Sequence, residues 1–392
     1  MNRKQHLLFI GSLALCSFTT LATSSKNLPV GNTFNLAING EVGRIDNFLF
    51  DDVNEHSTNY WALSPELFLQ VVNNRHLLSL DVKTTLTKYD EFEQDDHTNV
   101  SISPQYMMRF ADNKTIFIRA NHQQQYELRG TGLSLANAEM LNKGDKRQLS
   151  DISMGLQYGG ASVALLEVAF GISNNKYQTR REVTKQLDNS NIYGKASFDY
   201  QLDGGTMLSA ALEFEQLEYE YQAIYDKQKY TALIGGKWPK SAVNQLSMLL
   251  GYQNITFKQS TFENDDAFKW RVSWYWSPVE SLTFNLTSER DFAEANRLNN
   301  SYRLVDKHMM TLTNEWSEYI SLSASIGFNQ EQVTFEAQKQ KEDYLNSAIK
   351  LDYHLSKELR LFLKYQMKDL RSTKSTFEYQ RNSISIGINV TI

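Results

Sequence analysis

The chain has 392 residues, room for two or three ordinary soluble domains or for one large single-sheet architecture. Aromatic residues make up 12 % of it, with 20 Tyr and 21 Phe against only 5 Pro, a balance that favours strands. Mean hydropathy is −0.47, and no apolar run beyond the first thirty residues approaches the roughly 18 to 20 needed to span a bilayer, so a bundle of membrane helices is excluded.

Residues 1–24 read as an export signal. Arg3, Lys4 and His6 form a basic start, Leu7 to Leu15 ("LLFIGSLAL") an apolar core, and Ala22 and Ser24 a small-residue cleavage site. The rival reading is a lipoprotein signal at Cys16, but the residue before a lipidated Cys is normally small and here is Leu15. Cys16 is the only cysteine, so a mature chain of residues 25–392 has no disulfide, thiol nucleophile or Cys-metal site, which suits an oxidising exported location. Cleavage removes two positive charges and no negative ones, taking the net charge from −5 to −7. That balance argues against nucleic acid as a partner.

From Asn32 onward the dominant period is two. Phe268, Trp270, Val272, Trp274 and Trp276 alternate with Lys269, Arg271, Ser273 and Tyr275, and Leu282, Phe284 and Leu286 with Thr283, Asn285 and Thr287. Leu359, Leu361, Leu363, Tyr365 and Met367 alternate with Arg360, Lys364 and Lys368, broken by Phe362. The end reads Ile384, Ile386, Ile388, Val390 and Ile392 against Ser383, Ser385, Gly387, Asn389 and Thr391. Strands of this kind have one apolar and one wet face.

Short turns are predicted at Asn73-Asn74-Arg75, Ala111-Asp112-Asn113-Lys114, Gly159-Gly160, Asp203-Gly204-Gly205, Pro239-Lys240, Ser277-Pro278, Ser317-Glu318 and Ser356-Lys357. They recur at intervals of roughly 35 to 47 residues, the mark of repeated hairpins. Between them lie longer polar stretches such as "EFEQDDHT", "RREVTKQLDNS", "TFENDD" and "ANRLNN", the longest over 129–148. Alternation of short turns with long loops is the outer-membrane barrel pattern, with periplasmic turns short and extracellular loops long. Eight turns join sixteen strands, and the stretches 33–41 and 377–392 add two more. The expectation is therefore one all-β domain, a transmembrane antiparallel barrel of about eighteen strands with both termini periplasmic.

Phe110, Tyr158, Tyr200, Trp238, Trp276, Trp316 and Tyr353 each sit just ahead of a short turn, and only the first turn lacks such a residue. In a barrel those positions share one height, where rings with a polar handle settle between headgroups and hydrocarbon. A soluble sandwich has no reason to repeat the placement, although its strands would alternate in the same way.

Chemistry is sparse. There is no Gly-x-Ser-x-Gly elbow, Walker loop or His-Glu-x-x-His, so neither a metal nor a cofactor is expected. Among the seven His, His56 and His97 look loop-borne, His76 and His354 lie beside turns, and His122 and His308 are on strands. A barrel enzyme that assembles Ser, His and Asp from separate strands stays open, because such a triad is recognised by geometry.

The alternation turns Glu66, Asp81, Lys83, Arg119, Glu167, Lys195, Asp199, Glu213, Glu215, Lys269, Arg271, Lys350, Asp352, Arg360, Lys364 and Lys368 towards the lumen. The plainer reading is that they pair across strands and stiffen the wall. The sharper one is a selective pore. Arg360, Lys364 and Lys368 lie along one strand, with Lys350 on its neighbour and Lys269 and Arg271 further round. They form a cationic track for an acidic glycan, opposed by the strand bearing Glu213 and Glu215.

Near the N-terminus, "GEVGRIDNFLFDD" (40–52) is followed by "YWALSPELFLQVVNNRHLLSLDVKTTLTKYDEFEQDD" (60–96). Over these residues the chain resembles the outer-membrane β-barrel porin family found with exopolysaccharide gene clusters, the VpsM type. The matching positions are Gly43, Asp46, Asn47, Leu63, Ser64, Pro65, His76, Leu78, Leu80 and Tyr89. Structural roles suit them too: Asp46-Asn47 for turning a loop, His76 for a turn, Tyr89 for the outer girdle. The resemblance implies a part in synthesis or secretion of an extracellular polysaccharide, alongside periplasmic export proteins. The expected surroundings are outer-membrane lipids and the barrel assembly machinery. That machinery usually reads a terminal aromatic residue, where this chain has Ile392. A general or solute-selective diffusion porin and a structural or adhesive barrel acting through its loops are the other readings.

Overall fold

The structure, a computed structural model, describes residues 31–160, 163–241, 243–259, 262–335 and 338–392; the export signal expected at 1–24 lies outside them. The described chain is almost entirely strand. In order, the first nine are β1 (Gly31–Ile45), β2 (Thr58–Asn73), β3 (His76–Tyr89), β4 (His97–Ala111), β5 (Lys114–Glu127), β6 (Asp145–Gly159), β7 (Ala164–Tyr177), β8 (Asn189–Gln201) and β9 (Met207–Tyr219). Then follow β10 (Lys227–Ser241), β11 (Asn244–Phe257), β12 (Asp265–Val279), β13 (Leu282–Ala293), β14 (Asn300–Glu315), β15 (Ile320–Phe335), β16 (Lys339–His354), β17 (Leu359–Ser372) and β18 (Tyr379–Thr391).

All eighteen belong to one sheet, each paired antiparallel with its sequence neighbours, and β1 pairs with both β2 and β18. The sheet is closed, so no strand presents an unpaired edge. Closure registers Ala37 with Thr391 and Ile45 with Ser383. The two end strands are the expected ones, with β1 extending past the predicted 33–41 at both ends and β18 starting two residues into 377–392.

At one end the strands are joined by short connections and at the other by longer loops, among them one of seventeen residues (128–144). Two turns differ from expectation. Pro239-Lys240 lies inside β10 and Ser277-Pro278 inside β12, where the turn follows at 280–281. Both dipeptides fall at register shifts, between Trp238 and Ser241 and between Trp276 and Val279. Proline has no N–H to give the ladder, so it marks a bulge as readily as a turn. Pro65 interrupts the ladder without a bulge: β2 pairs with β3 up to Leu63 and again from Glu66 in unchanged register, while Ser64 donates to Thr85 Oγ1 at 3.0 Å.

Inside the wall, four aromatic rings lie over directly opposed glycines: Tyr60 over Gly43, Phe117 over Gly155, Tyr193 over Gly171 and Phe362 over Gly387. A Cβ on Gly43 would stand 2.7 Å from Tyr60 Cε1, and one on Gly387 would stand 2.4 Å from Phe362 Cζ. The absent side chain lets each ring lie flat against the strand, which pins register and leaves the lumen open.

Candidate functional site: the lumen and its loop plug

The alternation sorts the side chains as lipid and water demand. Leu361, Leu363, Tyr365, Ile384, Ile386 and Ile388 are exposed on the outside, while Phe362, Ser385 and Asn389 between them are buried on the inside. Phe110, Tyr158, Tyr200, Trp276, Trp316 and Tyr353 are exposed on the outer surface at the short-turn end, and Trp238 is half-buried there. A second ring at the loop end comprises Trp61, Tyr230, Tyr252 and Phe268, also exposed, which the sequence reading missed. Phe268 and Trp276 are eight residues apart on β12. At about 3.4 Å per residue and a tilt near 40° this separates the rings by about 21 Å, close to the roughly 25 Å of an outer-membrane apolar band. The signal was available: an aromatic lies three residues into β2, β10 and β12.

Tyr89 does not join the girdle. It shares the inward parity of Asp81 and Lys83, is buried, and meets Phe48 edge-on at 4.7 Å between ring centres.

Charge on two walls of the lumen bears on the expected track, while Lys83 on β3 pairs with Glu66 on β2 elsewhere. On the β8–β13 wall, Arg271 reaches from β12 to Glu213 on β9 through two bonds of 3.1 and 3.2 Å, with Lys195 at 3.6 Å from the same carboxylate. Lys229 on β10 joins Glu215 at 3.0 Å and Asp291 at 3.2 Å, and Lys269 joins Asp291 at 2.8 Å. Lys269 and Arg271 thus belong to a locally compensated network and not to the track on β17. Lys229 and Asp291, which sequence reasoning left out, complete it. Glu213 and Glu215 stand eight strands from β17, on the far wall, with their charge already met.

The wall formed by β16, β17, β18 and β1 is different. Lys350 and Arg360 share Asp352 at 2.8 and 3.3 Å, and Lys364 reaches Glu41 on β1 at 3.0 Å. Lys350 is directly opposite Lys364, with its ammonium over the Phe362 ring at 4.7 Å. Two inward-facing rows nearer the loops Lys368 is directly opposite Arg381, a residue not singled out from sequence. Five cations therefore face two paired carboxylates, Asp352 and Glu41, and like charges opposed in a ladder repel unless something anionic joins them.

Above this wall the loops fold inward. Asp46 accepts from the backbone and side-chain nitrogens of Asn382, both at 2.7 Å, and Asn47 donates to Gln380 O at 2.8 Å and Asp51 O at 2.6 Å. This pair turns loop 46–57 and also ties it to β18. Phe48, Leu49 and Phe50 are then buried, Phe50 in the left-handed region with φ 57°. Loop 128–144 lies against it. Gly130, at φ +82°, comes so close that a Cβ would stand 2.0 Å from Leu49 O, a position only glycine fills. Leu133 packs on the buried cluster capping β7–β14, Leu135 packs with Leu370 and Tyr379 on β17 and β18, and Ala138 packs with Phe48. One loop thus bridges the mouth.

Its two ends are held by one carboxylate. Asp95, fully buried in loop 90–96, accepts Arg129 Nε and Nη2 at 2.9 and 2.6 Å, the Tyr126 hydroxyl at 2.7 Å and Gly144 N at 3.0 Å. Across the mouth, Arg297 of loop 294–299 makes two bonds of 2.5 and 2.6 Å to the buried Glu342. Burial lowers the Arg297 pKa, but the Glu342 carboxylate more than offsets that and holds it above its ordinary value. Among the described residues no three His, Cys, Asp or Glu are grouped to hold a metal. His97 is the buried first residue of β4, not a loop residue, stacked on Tyr126 at 4.6 Å.

A closed eighteen-stranded barrel with an apolar outer band ringed by aromatics, and with a polar lumen, is an outer-membrane β-barrel of the porin kind. The chain belongs to the family described as "Putative beta-barrel porin 2", which matches residues 34–392. No curated protein matches it. Among solved structures it is similar to OccK5 (OpdH) of Pseudomonas aeruginosa, at 11 % identity, 92 % of this chain, 98 % of that chain and a TM-score of 0.48. A BenF-like porin of Pseudomonas fluorescens Pf-5 gives 11 %, 92 %, 99 % and 0.49, and a mutant ferric enterobactin receptor (PfeA) of P. aeruginosa 8 %, 93 %, 81 % and 0.45.

Proposed function

We propose that this outer-membrane barrel is a conduit for an acidic extracellular polysaccharide, carried outward along the β16–β18 wall and released past the inward-folded loops. The observation that supports this most is the surplus of cations on one wall, directly beneath a mouth bridged by loop 128–144. A wide general channel has no need of such a bridge, and a wall-stiffening role is served by compensated pairs such as those on β8–β13. Periplasmic export proteins are the partners this reading requires, with the barrel assembly machinery placing the chain among outer-membrane lipids.

The test is Arg360→Gln, Lys364→Gln and Lys368→Gln combined. Neutral amides spare Asp352 its Lys350 partner and Glu41 its Tyr60 hydroxyl at 3.3 Å. Outer-membrane level and heat-modifiable migration should stay at wild type while surface polysaccharide falls and single-channel selectivity shifts towards cations. Normal surface polysaccharide with altered selectivity would identify a solute-selective diffusion porin instead.

A further inference from the structure

Four residues occupy one row across adjacent strands. Gly327 on β15 pairs with Asn346 on β16, Asn346 with Lys368 on β17, and Lys368 with Arg381 on β18. All are on the lumen face, at the height where the loops begin. Gly327 contributes space, since a Cβ there would meet nothing closer than 3.8 Å. The others contribute donors. Lys368 is exposed and has no ion pair among the described residues. Arg381 lies with its guanidinium over the Phe50 ring at 4.3 Å, and its Nη1 is buried without an acceptor.

The nearby carboxylates are committed elsewhere. Asp46 is held by Asn382 and Asn47, Glu41 by Lys364 and Tyr60, and Asp369 by Arg371 at 3.5 Å. Two cations and an amide therefore share one row, and neither cation has an ion pair to a carboxylate among the described residues. Buried donors left unmade are costly, and opposed like charges add to that cost. An oxyanion in the space relieves both.

We propose that Lys368 and Arg381, with Asn346, form a binding site for a single oxyanionic group of a sugar acid, the last charged station below the plug. The guanidinium edge and the ammonium suit the two oxygens of a carboxylate. Naming the polymer's charged group in this way rests on the conduit reading, but the site itself does not.

The experiment is binding to purified barrel in detergent at about 0.1 M salt, with tetragalacturonate, inorganic sulfate and maltotetraose as probes. Tetragalacturonate should bind, sulfate should compete with it, and maltotetraose should not bind. Lys368→Gln with Arg381→Gln should weaken tetragalacturonate at least about tenfold, the scale of losing a charge-assisted hydrogen bond. Lys237→Gln, which removes a lumen cation paired with Asp199 at 2.7 Å, should change it less than about twofold. Lys368→Gln alone breaks no hydrogen bond or ion pair among the described residues, so it reports even where the double variant does not fold, with an expected loss of about fivefold. Unchanged tetragalacturonate affinity in these variants, or equal binding of maltotetraose, would overturn the site whatever happens to secretion. Lost binding with normal surface polysaccharide would uphold the site and reject the conduit.

Discussion

Asp95 offers the sharpest handle on the plug. Asp95→Asn keeps an oxygen for the Tyr126 hydroxyl and the Gly144 amide but removes the charge opposite Arg129, whose side chain is only 6 % exposed. Removing one member of a buried ion pair costs about 3 to 5 kcal/mol, because the other charge is left in a dry place. At about 1.4 kcal/mol per power of ten, the equilibrium for lifting loop 128–144 out of the mouth should rise by roughly two to three and a half powers of ten. A refolded chain beginning at Ser25 has no cysteine, so Leu135→Cys, at a position 6 % exposed, gives one reporter thiol. Its maleimide labelling rate follows the open fraction when closing is fast. With Asp95→Asn the rate should climb by that factor or reach the limit of a free thiol, and mean conductance in planar bilayers should increase with it. Asp95→Leu with Arg129→Met, which leaves no lone charge, should open the loop far less. If Asp95→Asn labels at the parent rate, the carboxylate does not hold loop 128–144 in the mouth.

Two further outcomes are expected. Trp276→Lys should destabilise the barrel in urea titrations in lipid vesicles by about 2 kcal/mol, combining lost ring burial with the roughly 0 to 1 kcal/mol of an interfacial charge; Ser277→Lys, one residue on, should cost under about 0.5 kcal/mol. Gly43→Ala should cost about 1 to 3 kcal/mol by displacing the Tyr60 ring, and that cost should shrink when Tyr60→Ala is made in the same chain; additive losses would show that ring and glycine do not touch.

The strand count, the closure and the inward–outward sorting were legible because lipid outside and water inside impose a period of two on nearly every strand. Turn positions were less so. Pro239 and Pro278 were read as turns when they sit at bulges, since both settings reward the same missing N–H. Tyr89 was placed in the girdle from its ring, although the parity of Asp81 and Lys83 already turned it inward. The plug is hidden for another reason: polar stretches between strands read as wet loops. Phe48-Leu49-Phe50, together with Leu128, Leu133 and Leu135, are too apolar for exposed connections and were the available sign of loops that bury themselves. Pairs such as Arg271–Glu213, three strands apart, depend on the curvature of the wall and have no trace in sequence spacing.

The tie between loop 46–57 and β18 joins residues 333 and 336 positions apart. It has a consequence for the order in which the barrel is made. Asn47 has no Gln380 to hold until the last strand has arrived beside the first, and Phe50 has no Tyr379 to pack on, whereas Phe48 and Leu49 find Tyr89 and Ala138 earlier in the chain. Loop 128–144 reaches β17 and β18 through Leu135, and that end of its bridge inherits the same delay. Contacts this distant in sequence come late because their chain entropy is lost before they repay it. The cork is therefore fitted after the bottle is finished, and the lumen stays reachable from the outer side for as long as the seam between β1 and β18 is unsewn.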